Sequence, residues 1–398
     1  MGSLVIFGGV NSTNLWQPML RNRDFIDGIV LYDGEMAMHE ILERASAGNV
    51  SLEGIQNVAC RGKDGSAIPP ERIRVHRLCD LPDIDYSLFD LERFFRQTEA
   101  RGFGRAITYY AGKGCSKRKH VNLSDSYSFA EYSSLVNSMN RCGFCGRNDL
   151  GLRNMPEDRE AGIVRSLHEK YGVTGFFNVQ DTVNLSYASP IGLDGCWFRL
   201  FIGMENVTPE NIRLLKQRYG PNIILQVGVE SASPEIRRAY GKRAYGAEDV
   251  FSMADLCLSE GVQLHASFIL GGRGETGESM CETADVIEKL AKYRNVDWLL
   301  VSPFMGLPGS PYVNKLLENE EMKKKYENED MPPIHGISRD VLSVLAPTIT
   351  REDIIKLIRE RYARIRKNGR TDLVLDVKGV TPEEEMHISP QREYCMGK

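Results

Sequence analysis

Long apolar runs are missing from this chain. No stretch of its 398 residues approaches the ~20 consecutive apolar residues that cross a bilayer, so no membrane span is expected. The opening Met1-Gly2-Ser3-Leu4-Val5-Ile6 has neither a basic region nor a cleavage site, which argues against a secretory signal. An excess of one charge is missing too. Lys and Arg total 50 against 54 Asp and Glu, and the net charge of −4 gives no general attraction to nucleic acid or anionic lipid. Low-complexity tracts and internal repeats are absent. The cysteines are odd in number, nine, and scattered, which excludes a disulfide framework and points to a reducing cytoplasm. Cys60, Cys79, Cys196, Cys257, Cys281 and Cys395 stand singly and read as small hydrophobes. A hydrophobic content of 42% with 26% charged residues is that of a globular chain with a substantial core.

From residue 104 onward strands and helices alternate. The pattern predicts strands over 106–110, 175–180, 197–202, 223–229, 263–270 and 297–303, with helices near 157–171, 208–218, 247–260 and 277–293. Six such units in sequence imply a parallel sheet with right-handed crossovers, an α/β fold curved into a partial (β/α)6 barrel. In such barrels chemistry sits at the C-terminal ends of the strands. Ahead of the barrel, strands over 4–7 and 25–31 and a helix carrying Met38, Ile41 and Leu42 form a small α/β domain. A β excursion over 55–77 and a linker from Leu78 to Ser87 complete it. Behind the barrel, Thr350-x-x-Asp353 reads as a capping box opening a helix with a stripe of Ile354, Ile358, Tyr362 and Ile365. Its basic residues read as a solvated face, and residues 371–398 as a loosely docked tail. The expected domains are 1–90, 100–312 and a helical extension over 313–398.

The chemistry centres on Cys142-Gly143-Phe144-Cys145, two thiols at chelating spacing. Zinc would need a second such pair or an H-x₃₋₅-H, and neither is present. A thioredoxin-like redox pair belongs after the first strand of a small βαβ domain, and buried structural thiols are a further alternative. A third thiol, Cys115, follows Gly114 at the end of the first barrel strand. Three thiolates suit three irons of a [4Fe–4S] cluster and leave the fourth open.

Gly114-Cys115 followed by Cys142-Gly-Phe-Cys145 resembles the signature of the radical S-adenosylmethionine (radical SAM) superfamily. Downstream text agrees. Phe176-Phe177-Asn178-Val179-Gln180-Asp181 is similar to the second-strand segment, and Leu225-Gln226-Val227-Gly228-Val229-Glu230-Ser231 to the fourth. Phe268 to Thr276 is similar to the fifth, with Arg273 where the family usually has proline. Ser302-Pro303-Phe304-Met305 is similar to the sixth. The resemblance implies a cluster held by Cys115, Cys142 and Cys145, and SAM bound by Phe144, Asp181, Glu230, Ser231, Gly271, Gly272 and Phe304. It implies reductive cleavage of SAM to a 5′-deoxyadenosyl radical that starts chemistry on a small biosynthetic substrate. An electron donor such as flavodoxin or ferredoxin would supply the reductant. Lys242 and Arg243 read as solvated charges, and Glu275 as the cap of the following helix.

The usual pattern has three residues between the first two cysteines, whereas 26 stand here. Either Cys115 ligates and residues 116–141 loop out as an insertion over the site, or another group such as His120 or a distant cysteine completes the set. The first ninety residues resemble the back half of the cobalamin-binding domain that precedes many radical SAM barrels. The front half is missing, as is any D-x-H-x-x-G, so cobalamin is not expected. Other outcomes are transfer of a 3-amino-3-carboxypropyl group from SAM, or a non-catalytic barrel that binds a metal or partner. The tail shows no small β-barrel RNA module, which argues against action on tRNA.

Overall fold

The six apolar-alternating runs become six parallel strands, joined at one edge by a seventh, in the computed structural model of the chain. The structure describes residues 3–117, 126–326, 334–370, 373–378 and 380. It divides into two units, one drawn from 1–81, 114–153 and 305–341, the other from 82–113, 154–304 and 342–398.

The second unit is built on a curled, wholly parallel sheet. Its strand order is Val374–Val377, Val296–Pro303, Gln263–Leu270, Ile223–Glu230, Trp197–Ile202, Gly175–Asn178 and Ala106–Tyr109. Alternation divides each strand between two faces. Phe198, Leu200, Leu225, Val227, Leu264, Phe268, Leu299 and Val301 pack against helix residues such as Val164, Ile212, Val250, Ile287 and Ile354 to make the core. The intervening positions, including Arg199, Gln226, Gly228, His265, Ser267 and Trp298, occupy the opposite face.

Helix ends follow local chemistry. Glu157–Tyr171 stops at Gly172 in the left-handed conformation, and Arg351–Lys367 starts in the Thr350–Asp353 capping box that the sequence predicts. A quartet is buried beneath the sheet. Glu160 accepts from Tyr109, Tyr219 and Arg218 at 3.0, 3.0 and 2.6 Å. The strand Val374–Val377 lies in the segment expected to be a loose tail. The Tyr362 hydroxyl donates to Asp376 O at 2.8 Å and helps hold it.

The first unit contains a four-stranded sheet, Ile6–Phe7, Gly28–Val30, Val58–Arg61 and Ala67–Ile68. Only its first pair is parallel. Trp16, Met19 and Leu20 cover one face and Ala37 and Ile41 the other. The segment between the cysteines does not stand as a loop of the barrel. Ser126–Ser128 pairs antiparallel with Arg72–Arg74, and the helix Phe129–Asn137 buries Tyr132 and Val136 against Ile73 and Val75. The pairing gives Arg72–Arg74 an antiparallel strand neighbour, beside the Asn57 N–H that donates to Arg72 O at 3.0 Å. The described residues after the barrel are likewise divided between the units, at Val341/Leu342. Among the described residues, no helix is long and apolar enough to cross a membrane.

Candidate functional site

The first unit holds the cysteines. Cys142 to Cys145 form a tight turn in which the Cys145 N–H donates to Cys142 O at 2.9 Å. Gly143 is buried within it, and a Cβ there would overlap the Tyr312 ring, so a side chain is excluded. Gly143 O accepts the Tyr312 N–H at 3.0 Å. Cys115, Cys142, Phe144 and Cys145 are all half-exposed, and the three thiols form no disulfide. The Cys115 N–H donates to Gly151 O at 3.1 Å, so the excursion between the cysteines returns close to where it began.

Thiols presented on a tight turn have the donor chemistry that iron of a [4Fe–4S] cluster takes. Among the described residues, no three or more His, Cys, Asp or Glu side chains are gathered to hold a metal ion. Local turn geometry delivers the Cys142/Cys145 pair, whereas Cys115 is fixed by its own bond to Gly151. His120, the alternative ligand, lies outside the described residues.

The second unit holds the residues expected at SAM. Parallel register puts the C-terminal strand ends on one edge. Asp181, Glu230, Gly271, Gly272 and Phe304 all stand at or just beyond such ends, and the Phe304 N–H donates to Leu270 O at 2.7 Å. Glu230 has φ 65°, a left-handed conformation that costs a non-glycine residue energy and clusters at functional sites. It sits at a register shift between the two central strands. The residue is 6% exposed, and its carboxylate pairs with the Lys242 ammonium, which also donates to Gly228 O at 3.1 Å. Lys242 is therefore an internal partner of Glu230 rather than a solvated charge, while Arg243 is exposed.

Three expectations change here. Ser231 is fully buried. Its hydroxyl shares a hydrogen bond with Thr283 and accepts the Ser233 N–H, both at 3.1 Å, so the side chain fixes the loop after the strand. Glu275 does not cap the helix; Thr276 does, accepting the Ser279 N–H at 3.2 Å. Glu275 accepts the Gly271 N–H at 3.2 Å and the Ser279 hydroxyl at 2.6 Å and so braces the glycine turn, and burial pushes its carboxyl above the usual range. The space a Cβ would take at Gly271 and Gly272 is filled by Ile354, Leu342 and Tyr240, so these glycines are demanded by packing within the unit itself.

Polar side chains that sequence reasoning missed lie on the same unit. Asn178 Nδ2 and Gln226 Oε1 are buried without a hydrogen-bond partner, and a buried unpaired polar atom is costly unless a ligand or water meets it. Their signal in the sequence is a carboxamide inside an otherwise apolar strand. The Arg199 guanidinium lies 4.2 Å over the Phe177 ring, and burial pushes it down to about 10. Glu230, Lys242, Asn178 and Gln226 together offer acceptors and donors of the kind that the ribose, ammonium and carboxylate of SAM require.

Residues 137–287 match the Radical SAM superfamily, a span that begins just ahead of Cys142 and leaves Cys115 outside. An uncharacterised methyltransferase of Pyrococcus horikoshii is 24% identical over 377 residues, covering 90% of this chain and 71% of that protein. Among solved structures, the chain is similar to the radical SAM methyltransferase TsrM from Kitasatospora setae, solved with cobalamin and a [4Fe–4S] cluster. There the TM-score is 0.56 at 15% identity, over 79% of this chain and 58% of TsrM. It is also similar to the cobalamin-dependent enzyme OxsB solved with aqua-cobalamin and SAM, with a TM-score of 0.59 at 13% identity, over 99% of this chain and 61% of OxsB. The chain thus spans about three-fifths of each of these solved proteins. Residues 137–287 thus carry the match to the Radical SAM superfamily, and the curled parallel sheet is the fold that the chain shares with these solved neighbours.

Proposed function

We propose that this enzyme reductively cleaves SAM and uses the product to start radical chemistry on a small-molecule substrate. The observation that carries the reading is the Cys142–Cys145 turn, standing at the head of the matched domain with both thiols half-exposed. A bound [4Fe–4S] cluster would supply the electron that breaks the sulfonium C–S bond. Cys142 and Cys145 would hold two of its irons. Cys115, in the same unit and half-exposed, is the proposed third ligand. On the other unit, the Glu230 carboxylate would accept hydrogen bonds from the ribose hydroxyls or the ammonium of SAM, and Lys242 would hold it charged and oriented. The buried, unpartnered carboxamide atoms of Asn178 and Gln226 would take up further SAM contacts. The electron donor would be a small redox protein, and the setting a reducing cytoplasm.

A second reading, methyl transfer from SAM, is supported by the Pyrococcus relative's name and by the likeness to TsrM. Cobalamin, present in both solved neighbours, is left out of the first reading.

The test is anaerobic reconstitution followed by reductant and SAM. The expected result is about four irons per chain, in keeping with a [4Fe–4S] cluster, and release of 5′-deoxyadenosine. Protein that takes up no iron and leaves SAM intact would sink the reading. S-adenosylhomocysteine, with cobalamin retained through gel filtration, would favour the second reading, and methylthioadenosine would indicate aminocarboxypropyl transfer.

A further inference from the structure

One side chain of the first unit, far from the cysteines in sequence, grips their turn. Asn14 closes the short helix Val10–Asn14. Its Nδ2 donates to Gly146 O at 3.1 Å and to Pro308 O at 2.7 Å, and its Oδ1 accepts Asn148 Nδ2 at 2.6 Å. The carboxamide therefore uses both its donors and its acceptor on backbone and side chain just past Cys145, and on the segment that carries Tyr312. Tyr312 in turn donates to Gly143 O and stacks where a Cβ of Gly143 would be. A Cβ on Gly309 would overlap the Asn14 carboxamide itself, so the fit is close on that side as well. Gly146 is tight as well, its Cβ position lying 3.0 Å from Pro308 O.

We infer that Asn14 is a positioning residue for the cysteine turn, and that the small N-terminal sheet and helices serve to hold the Cys142/Cys145 pair in its presented form. The inference rests on the cluster reading above. Asn14 touches neither thiol. It acts through Gly146 and Pro308, the two carbonyls that flank the turn and its Tyr312 prop. Three hydrogen bonds on one carboxamide, two donated to carbonyls and one accepted from Asn148, favour a single arrangement of the loop. Asn14→Asp keeps the size and one acceptor but loses both donors, and it sets a carboxylate against two carbonyl oxygens.

The test compares wild type with Asn14→Asp and with Trp16→Phe, a core change in the same unit that leaves the turn's contacts alone. In the full-length apoprotein, alkylation of Cys142 and Cys145 is followed by mass mapping, with the exposed Cys281 as internal standard. In the reconstituted protein, iron loss to a chelator and the EPR signal of the reduced cluster are followed. Asn14→Asp is expected to alter the alkylation ratio of the pair and to release iron on the order of ten-fold faster, with a changed EPR signal, as loss of about two hydrogen bonds implies. Trp16→Phe is expected to lower the melting temperature without either change. Wild-type alkylation and release in Asn14→Asp would overturn the inference. So would effects in both variants that simply track melting temperature. Wild-type protein that takes up no iron would instead overturn the cluster reading, while the alkylation arm still tests the grip on the turn.

Discussion

Lys242 shows how much one side chain changes the meaning of another. Glu230 alone would be a carboxylate buried in a strained backbone, a costly arrangement. With the ammonium beside it and Gly228 O as a second anchor, it is a charged group aimed by the protein. Lys242→Met is therefore expected to weaken SAM binding by on the order of ten-fold, since removing one partner of a buried pair leaves the other uncompensated. Equilibrium dialysis with labelled SAM checks this, and unchanged affinity would return Lys242 to a bystander. The Glu230 strand was legible in the sequence because Gly-Val-Glu-Ser closes an apolar run. Lys242 was not, because a lysine 12 positions downstream carries no mark that it folds back. The loop role of Ser231 was hidden for a related reason: its partner, the Thr283 hydroxyl, lies 52 positions downstream.

At the scale of elements, the expected strands and helices of the barrel were readable to within about three residues, because apolar alternation and glycine stops are local signals, while the short helix Pro234–Ala239 was missed. The strand Val374–Val377 was not, because four residues are too few for a period and their pairing is supplied by Val296–Pro303. The assignment of Ser126–Ser128 and Phe129–Asn137 to the N-terminal unit was equally hidden. It depends on an edge at Arg72–Arg74 that sequence places 54 positions away. The helix Glu157–Tyr171 is tied to its strand by the quartet around Glu160. Burial and the Glu160 charge push the Tyr109 hydroxyl up, and the guanidinium of Arg218 is only 1% exposed. Glu160→Ala leaves that guanidinium buried without its main partner and is expected to cost about 3–5 kcal/mol. Urea unfolding measures this; a loss below about 1 kcal/mol would mean that water replaces the carboxylate.

Across the whole molecule, stability carries a pH signature. Burial pushes the His265 imidazole below its ordinary 6.5, although Asp297 stands 2.9 Å away and opposes the shift. The unfolded chain then binds the proton first as pH falls. The contribution is fully present above about 6.5 and is lost as pH drops through that value toward the folded one. Urea midpoints are expected to fall between pH 7.5 and pH 5.5, and His265→Gln should flatten that slope. An identical slope in the variant would assign it to other groups.

The cysteine pair also has a history during synthesis. Its turn is complete in sequence once Gly146 emerges, but the Asn14 carboxamide is shared with Pro308, 294 positions from Asn14. At about 5–20 residues per second, the ribosome needs roughly 10 s or more to bridge the interval from the pair to that proline. During that time the thiols stand on a turn held from one side only. A cluster delivered early would meet an open, adaptable loop, and the arrival of the Pro308 segment would then close the latch behind it.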